Sequence, residues 1–279
     1  MKVVKGVGDM KALSRTLKRE GKTIAFVPTM GALHDGHLSL MAEGKKRADV
    51  LVSSVFVNPT QFGPNEDYKK YARDTEGDLA KMSRAGVDVA FFPEPEEIYP
   101  PGAQTYVEVT ELQKPLCGAS RPGHFRGVAT VVLKLFNIVK PDVAIFGKKD
   151  FQQLQVIKRM VRDLDLDVEI VGMPTWRESS GLAMSSRNAY LSGEERERAA
   201  SLSKALREIK RNFDGGEKDA AALVEYGRRV ILNASAGNID YLEIRKGETL
   251  EEVKSVSPGD VAALAVKVGG ARLIDNIEL

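Results

Sequence analysis

The sequence predicts an α/β protein: a Rossmann-like, doubly wound parallel sheet domain followed by a smaller C-terminal α+β domain. Three observations lead there. Through residue 176, short and nearly continuous apolar runs alternate with amphipathic stretches, the pattern of parallel strands covered by helices on both faces. After Trp176 the order changes to charged helices followed by three strands, which suits a separate antiparallel layer. A length of 279 residues accommodates two domains, placed at 1–176 and 177–279.

The elements follow in chain order. Residues 23–28 (TIAFVP) read as a buried strand, and 37–48 as a helix with Leu38, Met41 and Ala42 on one face. A Val-rich strand covers 50–57, a short helix 76–85 carries Leu79 and Met82, and a third strand covers 87–93. Residues 127–139 (GVATVVLKLFNIV) form a strongly apolar helix stopped by Pro141. A strand at 143–146, a helix at 151–164 and a strand at 168–172 complete the first domain. In the second, Ser192 and Glu195 make a capping box opening one helix to about Phe213. A helix from about Glu217 to Ala234 precedes strands at 240–245, 261–268 and 272–278, with Gly269-Gly270 as a two-residue hairpin turn. The polar segment 58–71 (NPTQFGPNEDYKKY) has the length of a lid or binding loop.

Composition excludes several classes. Lys and Arg number 41 and Asp and Glu 39, a net charge of +2, so no electrostatic excess draws nucleic acid or a membrane surface. An apolar content of 43% with 29% charged residues suits a globular chain rather than a disordered one. The single cysteine, Cys117, excludes an internal disulfide framework and a thiolate zinc cluster, and fits a cytoplasmic setting. The N-terminal residues lack the apolar core of a signal peptide, and no window has the apolar length of a membrane span.

Ligands of doubly wound sheets bind beyond the carboxyl ends of the strands. The first candidate segment, PTMGALHDGH, leaves the first strand with Met30, Gly31, Ala32, Leu33, His34, Asp35 and Gly36 and enters a helix at His37. Its glycines allow close approach to the backbone, and a helix N-terminus attracts phosphate. His34 and His37, three apart, can face one side and stabilise charge growing on a phosphoryl group. A third metal ligand is missing nearby, so no metal site is expected. Neither GxxxxGK[ST] nor GxGxxG is present. The second segment, LAMSSRN, could wrap a triphosphate with Met184, Ser185, Ser186 and the cation of Arg187. In the third, IFGKKDFQQL, Gly147 supplies a close turn and Lys149 a mobile cation, beside Lys148. Asp150 serves either as an acceptor for ribose hydroxyls or as a helix cap, with Gln153 on the same side. In the fourth, VFVNPTQFGPNED, the neutral amides of Asn58 and Gln61 can hold a small polar substrate without neutralising its carboxylate.

PTMGALHDGH resembles the HxGH signature of nucleotidyltransferases related to class I aminoacyl-tRNA synthetases, and LAMSSRN resembles their KMSKS-type loop. Together with VFVNPTQFG, RPGHFRGVATVVLKL, FGKKDFQQL and GLAMSSRN, in that order and spacing, the chain resembles the pantoate–β-alanine ligase family. The resemblance is strong over about residues 20–195 and weaker beyond. It implies an ATP-dependent ligase that condenses (R)-pantoate with β-alanine through pantoyl adenylate, releasing pyrophosphate and AMP. It implies ATP contacts at Met30 to His37, Gly147 to Asp150, Trp176 and Met184 to Arg187, with His34, His37, Lys149 and Arg187 as the catalytic set. Pantoate falls to Gln61 and Gln153, and β-alanine also to Gln61. Mg2+ arrives with the ATP phosphates, and a homodimer is implied. Two positions depart from the family pattern: Lys148, where an acidic residue is frequent, and Trp176, where a small aliphatic one is. Another adenylyl- or cytidylyltransferase would share the HxGH but would want more arginines for a phosphorylated acceptor. An RNA-binding relative would want a basic, aromatic face.

Overall fold

The computed structural model describes residues 1–64 and 66–279; Asn65, in the long 58–71 loop, lies outside the described residues. The chain divides into two units. The first comprises Met1–Gln113, Arg121–Lys148 and Val156–Pro174, and the second Lys114–Ser120, Lys149–Gln155 and Thr175–Leu279.

Among the described residues, the sheet of the first unit has six strands: β1 (Lys2–Val4), β2 (Ile24–Thr29), β3 (Val50–Val55), β4 (Val89–Phe91), β5 (Val143–Gly147) and β6 (Glu169–Met173). Their order is β1-β4-β3-β2-β5-β6, and every pairing is parallel. The expected doubly wound sheet is therefore found. Its helices are α1 (Val7–Arg19), α2 (Asp35–Arg47), α3 (Thr75–Arg84), α4 (Pro95–Ile98) and α6 (His124–Val139). The pleat of β2 explains why its run is apolar throughout. Ala25 and Val27 join Leu40 and Met41 of α2 on one face. Phe26 points to the other, its ring 6.4 Å from that of Phe136 in α6. The chain leaves β2 towards β3 on one side, and β5 returns on the other. The topological switch point, where such sheets receive ligands, thus lies between β2 and β5.

Three elements of this unit, β1, α1 and the four-residue α4, escaped the sequence reading. β1 is three residues long, too short for a period, while α1 shows a helical period in Val7, Met10, Leu13 and Leu17. Two helix starts move upstream. α6 begins at His124 rather than at 127, after a left-handed Gly123. α2 begins at Asp35 rather than at His37. The reason is local: His37 Nδ1 accepts the His34 backbone N–H at 3.3 Å, standing where a capping-box Glu or Gln would.

The second unit holds α5 (Cys117–Ser120), the start of α7 (Phe151–Asp163), α8 (Gly193–Ala199), α9 (Ser201–Asp214), α10 (Ala220–Asn233) and the antiparallel sheet β7 (Asn238–Arg245), β8 (Val261–Val268) and β9 (Ala271–Glu278). Val268 pairs with Ala271, so Gly269-Gly270 is the two-residue turn anticipated. Leu202, Leu206 and Ile209 of α9 pack with Leu264 and Val266 of β8 and Leu223 and Ile231 of α10. The Ser192–Glu195 capping box forms, but its helix closes at Ala199 and α9 follows. There the Ala200 N–H is shared between the Arg196 and Glu197 carbonyls, a tightening that separates the two helices. α10 starts three residues later than expected, because Asp219 caps it by accepting the Ala222 N–H at 2.7 Å.

Candidate active site

β2 delivers the chain into the turn 29–34. Thr29 Oγ1 donates to the Ser54 carbonyl at 2.7 Å, and the Gly31 N–H returns to Thr29 Oγ1 at 3.2 Å. Gly31 has φ +83, and a Cβ there would lie 2.8 Å from Asp78 Oδ2 and 2.9 Å from Val55 Cγ1. Only glycine fits. Asp78 of α3 accepts the N–H of Ala32 at 2.9 Å and of Leu33 at 2.8 Å, while Lys81 donates to the Leu33 carbonyl at 2.8 Å. Burial pushes the Asp78 carboxyl up, against the pull of those amides and of Lys81. The turn is thereby pinned from outside itself, and two of its amides face inward rather than towards a ligand. His34 and His37 then sit at the start of α2 with ring centroids 4.1 Å apart. The structure brings these two predicted residues together at a helix N-terminus.

The segment after β3 joins three more of them. Asn58 Nδ2 donates to Gln61 Oε1 at 3.0 Å, and Gln61 Nε2 meets Met30 Sδ at 3.1 Å. Asn58 and Gln61 are buried, in and beside a 3-10 turn over Pro59–Gln61. Asn58 Oδ1 accepts from Tyr99 Oη at 2.9 Å, and Asn58 Nδ2 also reaches the Gly127 carbonyl at 3.1 Å. The rest of the loop is less apolar-poor in effect than in composition. Phe62 packs its ring against Tyr68 and Tyr71, with centroids 5.4 and 5.9 Å away, and Tyr71 is buried.

Gly147 ends β5 and Lys148 follows in the first unit; Lys149 and Asp150 belong to the second. In that second unit Lys149 Nζ lies 3.8 Å from Asp150 Oδ1, and the Lys149 carbonyl accepts from Asn276 Nδ2 of β9 at 2.8 Å. Gln153 stands in the first turn of α7. Its neighbour Gln152 is buried, accepting the Cys117 N–H at 3.0 Å and donating to the Pro115 carbonyl at 2.7 Å. The Met184 N–H donates to the Trp176 carbonyl at 2.9 Å, so these two predicted residues are backbone neighbours. Trp176 is exposed. Ser185 caps the 3-10 turn Ser186–Tyr190 by accepting the Arg187 N–H at 3.3 Å. Buried Asn188 holds that turn through Glu178 Oε1 at 2.7 Å and the Ala183 carbonyl at 3.1 Å. Glu178 is also bound by Arg196, whose hydrogen bond is the main cause of its lowered carboxyl pKa.

Sequence reasoning missed the residues that hold the site rather than line it: Asp78, Tyr99, Arg121, His124, Asn188 and Asn276. Only the segments RPGHFRG and SSRN carried a signal, as motif members without an assigned role.

A parallel sheet with polar turns at its switch point defines an α/β enzyme that binds its ligands at the carboxyl ends of the strands. The profile of the pantoate–β-alanine ligase family matches residues 2–278, and the chain belongs to that family. It is 57% identical over 279 residues to the pantothenate synthetase of Geobacter sulfurreducens, covering 100% of this chain and 99% of that one. It is 56% identical to the Sulfurihydrogenibium sp. enzyme of the same name, over 100% of both. Among solved structures, pantothenate synthetase from Thermus thermophilus superposes with a TM-score of 0.95 at 46% identity, covering 100% of this chain and 99% of the other. The pantoate–β-alanine ligase of Francisella tularensis, complexed with beta-gamma ATP and β-alanine, gives 0.82 at 35% identity over 100% and 97%. The activity of the chain is the ligation of pantoate to β-alanine.

Proposed function

We propose that the chain drives this ligation with ATP, in two steps. A carboxylate oxygen of (R)-pantoate attacks the α-phosphorus of ATP, the bond to the β-phosphate breaks, and pantoyl adenylate and pyrophosphate form. The amine of β-alanine then attacks the acyl carbon, AMP leaves with the bonding pair, and the amine proton is lost to give pantothenate. Adenylation is the sensible route, because a bare carboxylate offers no leaving group. The observation that carries the reading is the pinned turn after β2. It sets two adjacent imidazoles, tilted 35° to one another, at a helix N-terminus, where they can donate to charge developing on the α-phosphate.

The remaining roles are those the resemblance to the family implies. ATP is contacted by Met30 to His37, Gly147 to Asp150, Trp176 and Met184 to Arg187, with Lys149 and Arg187 as cations for the phosphates. Asn58, Gln61 and Gln153 hold pantoate through neutral amides, and Gln61 serves β-alanine as well. The complex of the Francisella tularensis relative with beta-gamma ATP and β-alanine supports the choice of substrates. Magnesium enters as part of MgATP. Its ligands would come mainly from the ATP phosphates and water. Among the described residues no helix is long and apolar enough to cross a membrane. We place the enzyme in the cytoplasm as a homodimer, which light scattering on a sizing column tests.

The deciding experiment uses pantoate labelled with 18O in its carboxylate. One labelled oxygen should appear in AMP, and pyrophosphate should be released before β-alanine is added. Unlabelled AMP, or pyrophosphate release that waits for the amine, overturns the adenylate.

A further inference from the structure

The segment RPGHFRG builds a polar clamp behind Gln61. His124 Nδ1 lies 2.8 Å from the Gln61 carbonyl oxygen, and His124 Nε2 lies 3.0 Å from Arg121 Nη1. Arg121 Nη2 also donates to the Gln61 carbonyl, at 3.3 Å. The other edge of that guanidinium grips Glu66, with Nε to Oε1 at 2.6 Å and Nη2 to Oε2 at 2.7 Å. Phe125 packs edge-on against the imidazole, at a centroid distance of 4.8 Å.

Donor and acceptor bookkeeping leaves one arrangement. A guanidinium only donates, so Nε2 must accept and carries no proton. A carbonyl only accepts, so Nδ1 must donate. Both hold only for a neutral imidazole protonated at Nδ1. Among the described residues the charged groups facing it include Arg121 and Glu66: the carboxylate favours a second proton on the ring, and the guanidinium directly against Nε2 opposes it. That second proton would set an N–H against an N–H of Arg121.

We propose that Arg121 locks His124 as the neutral Nδ1–H tautomer, and that His124 thereby acts as a positioning residue, fixing the Gln61 backbone and with it the amide offered to pantoate. This rests on the reading of Gln61 as a pantoate ligand. Protonation of His124 then releases the clamp, so pantoate affinity falls in acid while ATP affinity does not follow it.

Long-range proton–nitrogen NMR of the imidazoles tests the tautomer in the intact protein. The chain has three histidines, so each signal is assigned by its loss in one variant. At about pH 7.5 His124 should show a pyrrole-type Nδ1 and a pyridine-type Nε2. The reverse tautomer, or a doubly protonated ring, overturns the proposal. Kinetics test the positioning. His124→Ala should raise the pantoate KM about 3–10-fold, the worth of one lost neutral hydrogen bond, and leave the ATP KM in place. His124→Asn, which keeps a donor near Nδ1, should recover most of that loss and remove the acid rise in pantoate KM expected of the wild type. Equal rises in both KM values, or no rescue by asparagine, also overturn it. Gln61→Ala separates the two ideas. If it leaves the pantoate KM unchanged, the ligand reading of Gln61 fails. If it raises that KM while His124→Ala does not, only the clamp fails.

Discussion

Gly127→Ala is a one-carbon perturbation whose size can be worked out from contacts. A Cβ at Gly127 would lie 2.4 Å from the Thr60 carbonyl oxygen, 2.6 Å from its carbon and 2.8 Å from Gln61 Cα. These are backbone atoms, so no side chain can swing aside. Ordinary contact begins near 3.4 Å, and 3.4 less 2.4 leaves a displacement of about 1 Å to be found by α6 or by the 59–61 turn. Overpacking of this kind costs about 1–3 kcal/mol, while alanine in a helix returns up to about 1 kcal/mol over glycine. The expected net loss is about 1–2 kcal/mol. The same shift moves Gln61 and stretches the bond from Asn58 Nδ2 to the Gly127 carbonyl, and a misplacement of about 1 Å in a reacting complex can cost on the order of 100-fold. Urea unfolding should show a lower midpoint, and steady-state kinetics a fall in kcat/KM for pantoate with the ATP KM held. Gly8→Ala is the control: Gly8 lies in α1 with nothing within 4 Å of the added carbon, so that variant should gain about 0.5–1 kcal/mol. A Gly127→Ala protein as stable as the wild type and as active with pantoate would refute the backbone-contact argument.

Four further outcomes are expected. His37→Ala should slow single-turnover pyrophosphate release roughly 10²–10³-fold with much less change in an ATP binding isotherm; equal losses would make it a ground-state ligand only. Gln153→Ala should raise the pantoate KM and spare ATP, and an unchanged pantoate KM removes Gln153 from that site. Trp176 is the one tryptophan of the chain and is exposed, so ATP should shift or quench the intrinsic emission; a spectrum unmoved at saturating ATP removes Trp176 from the nucleotide contacts. Burial pushes the Glu66 carboxyl up, but the hydrogen bond and charge of Arg121 outweigh it and hold the group low. Its contribution to stability is therefore complete above the unfolded-state value and is lost as pH falls through the folded-state one. Glu66→Gln should flatten that acid limb of midpoint against pH, and a curve parallel to the wild type would show that the pair contributes nothing.

The sheet was legible because both its faces are buried, which makes runs such as TIAFVP apolar at every position. The turn after β2 was legible because glycine and histidine must sit within a few residues to make it. What stayed hidden is held by partners far apart in the chain. Asp78 meets Leu33 across 45 residues, His124 meets Gln61 across 63, and Asn276 meets Lys149 across 127. Each is an ordinary polar residue in its own segment, and nothing local marks Asp78 in TEGDLAKM as an anchor for a distant turn. Short elements failed for another reason. β1 has three residues, too few to show a period, whereas α1 does carry one in Val7, Met10, Leu13 and Leu17.

The same logic that fixes His124 also bears on what His37 can do. The His34 backbone N–H donates to His37 Nδ1 at 3.3 Å, so that nitrogen carries no proton and the neutral ring must hold its proton at Nε2. In His124 the assignment is reversed, because a guanidinium faces Nε2 and a carbonyl faces Nδ1. Two imidazoles within one unit are thus specified as opposite tautomers, by a backbone amide in one case and by an arginine in the other. The consequence is a division of labour. His124 spends its donor on the protein, where it fixes a loop. His37 has its inner nitrogen occupied by the protein, which leaves Nε2 to carry the proton; in the proposed adenylation that N–H would donate to developing phosphoryl charge. In the proposed adenylation, an inner nitrogen that already accepts would make His37 a hydrogen-bond donor of fixed direction, and the rate would depend on the aim of one N–H. That aim would be set by the turn that Asp78 holds.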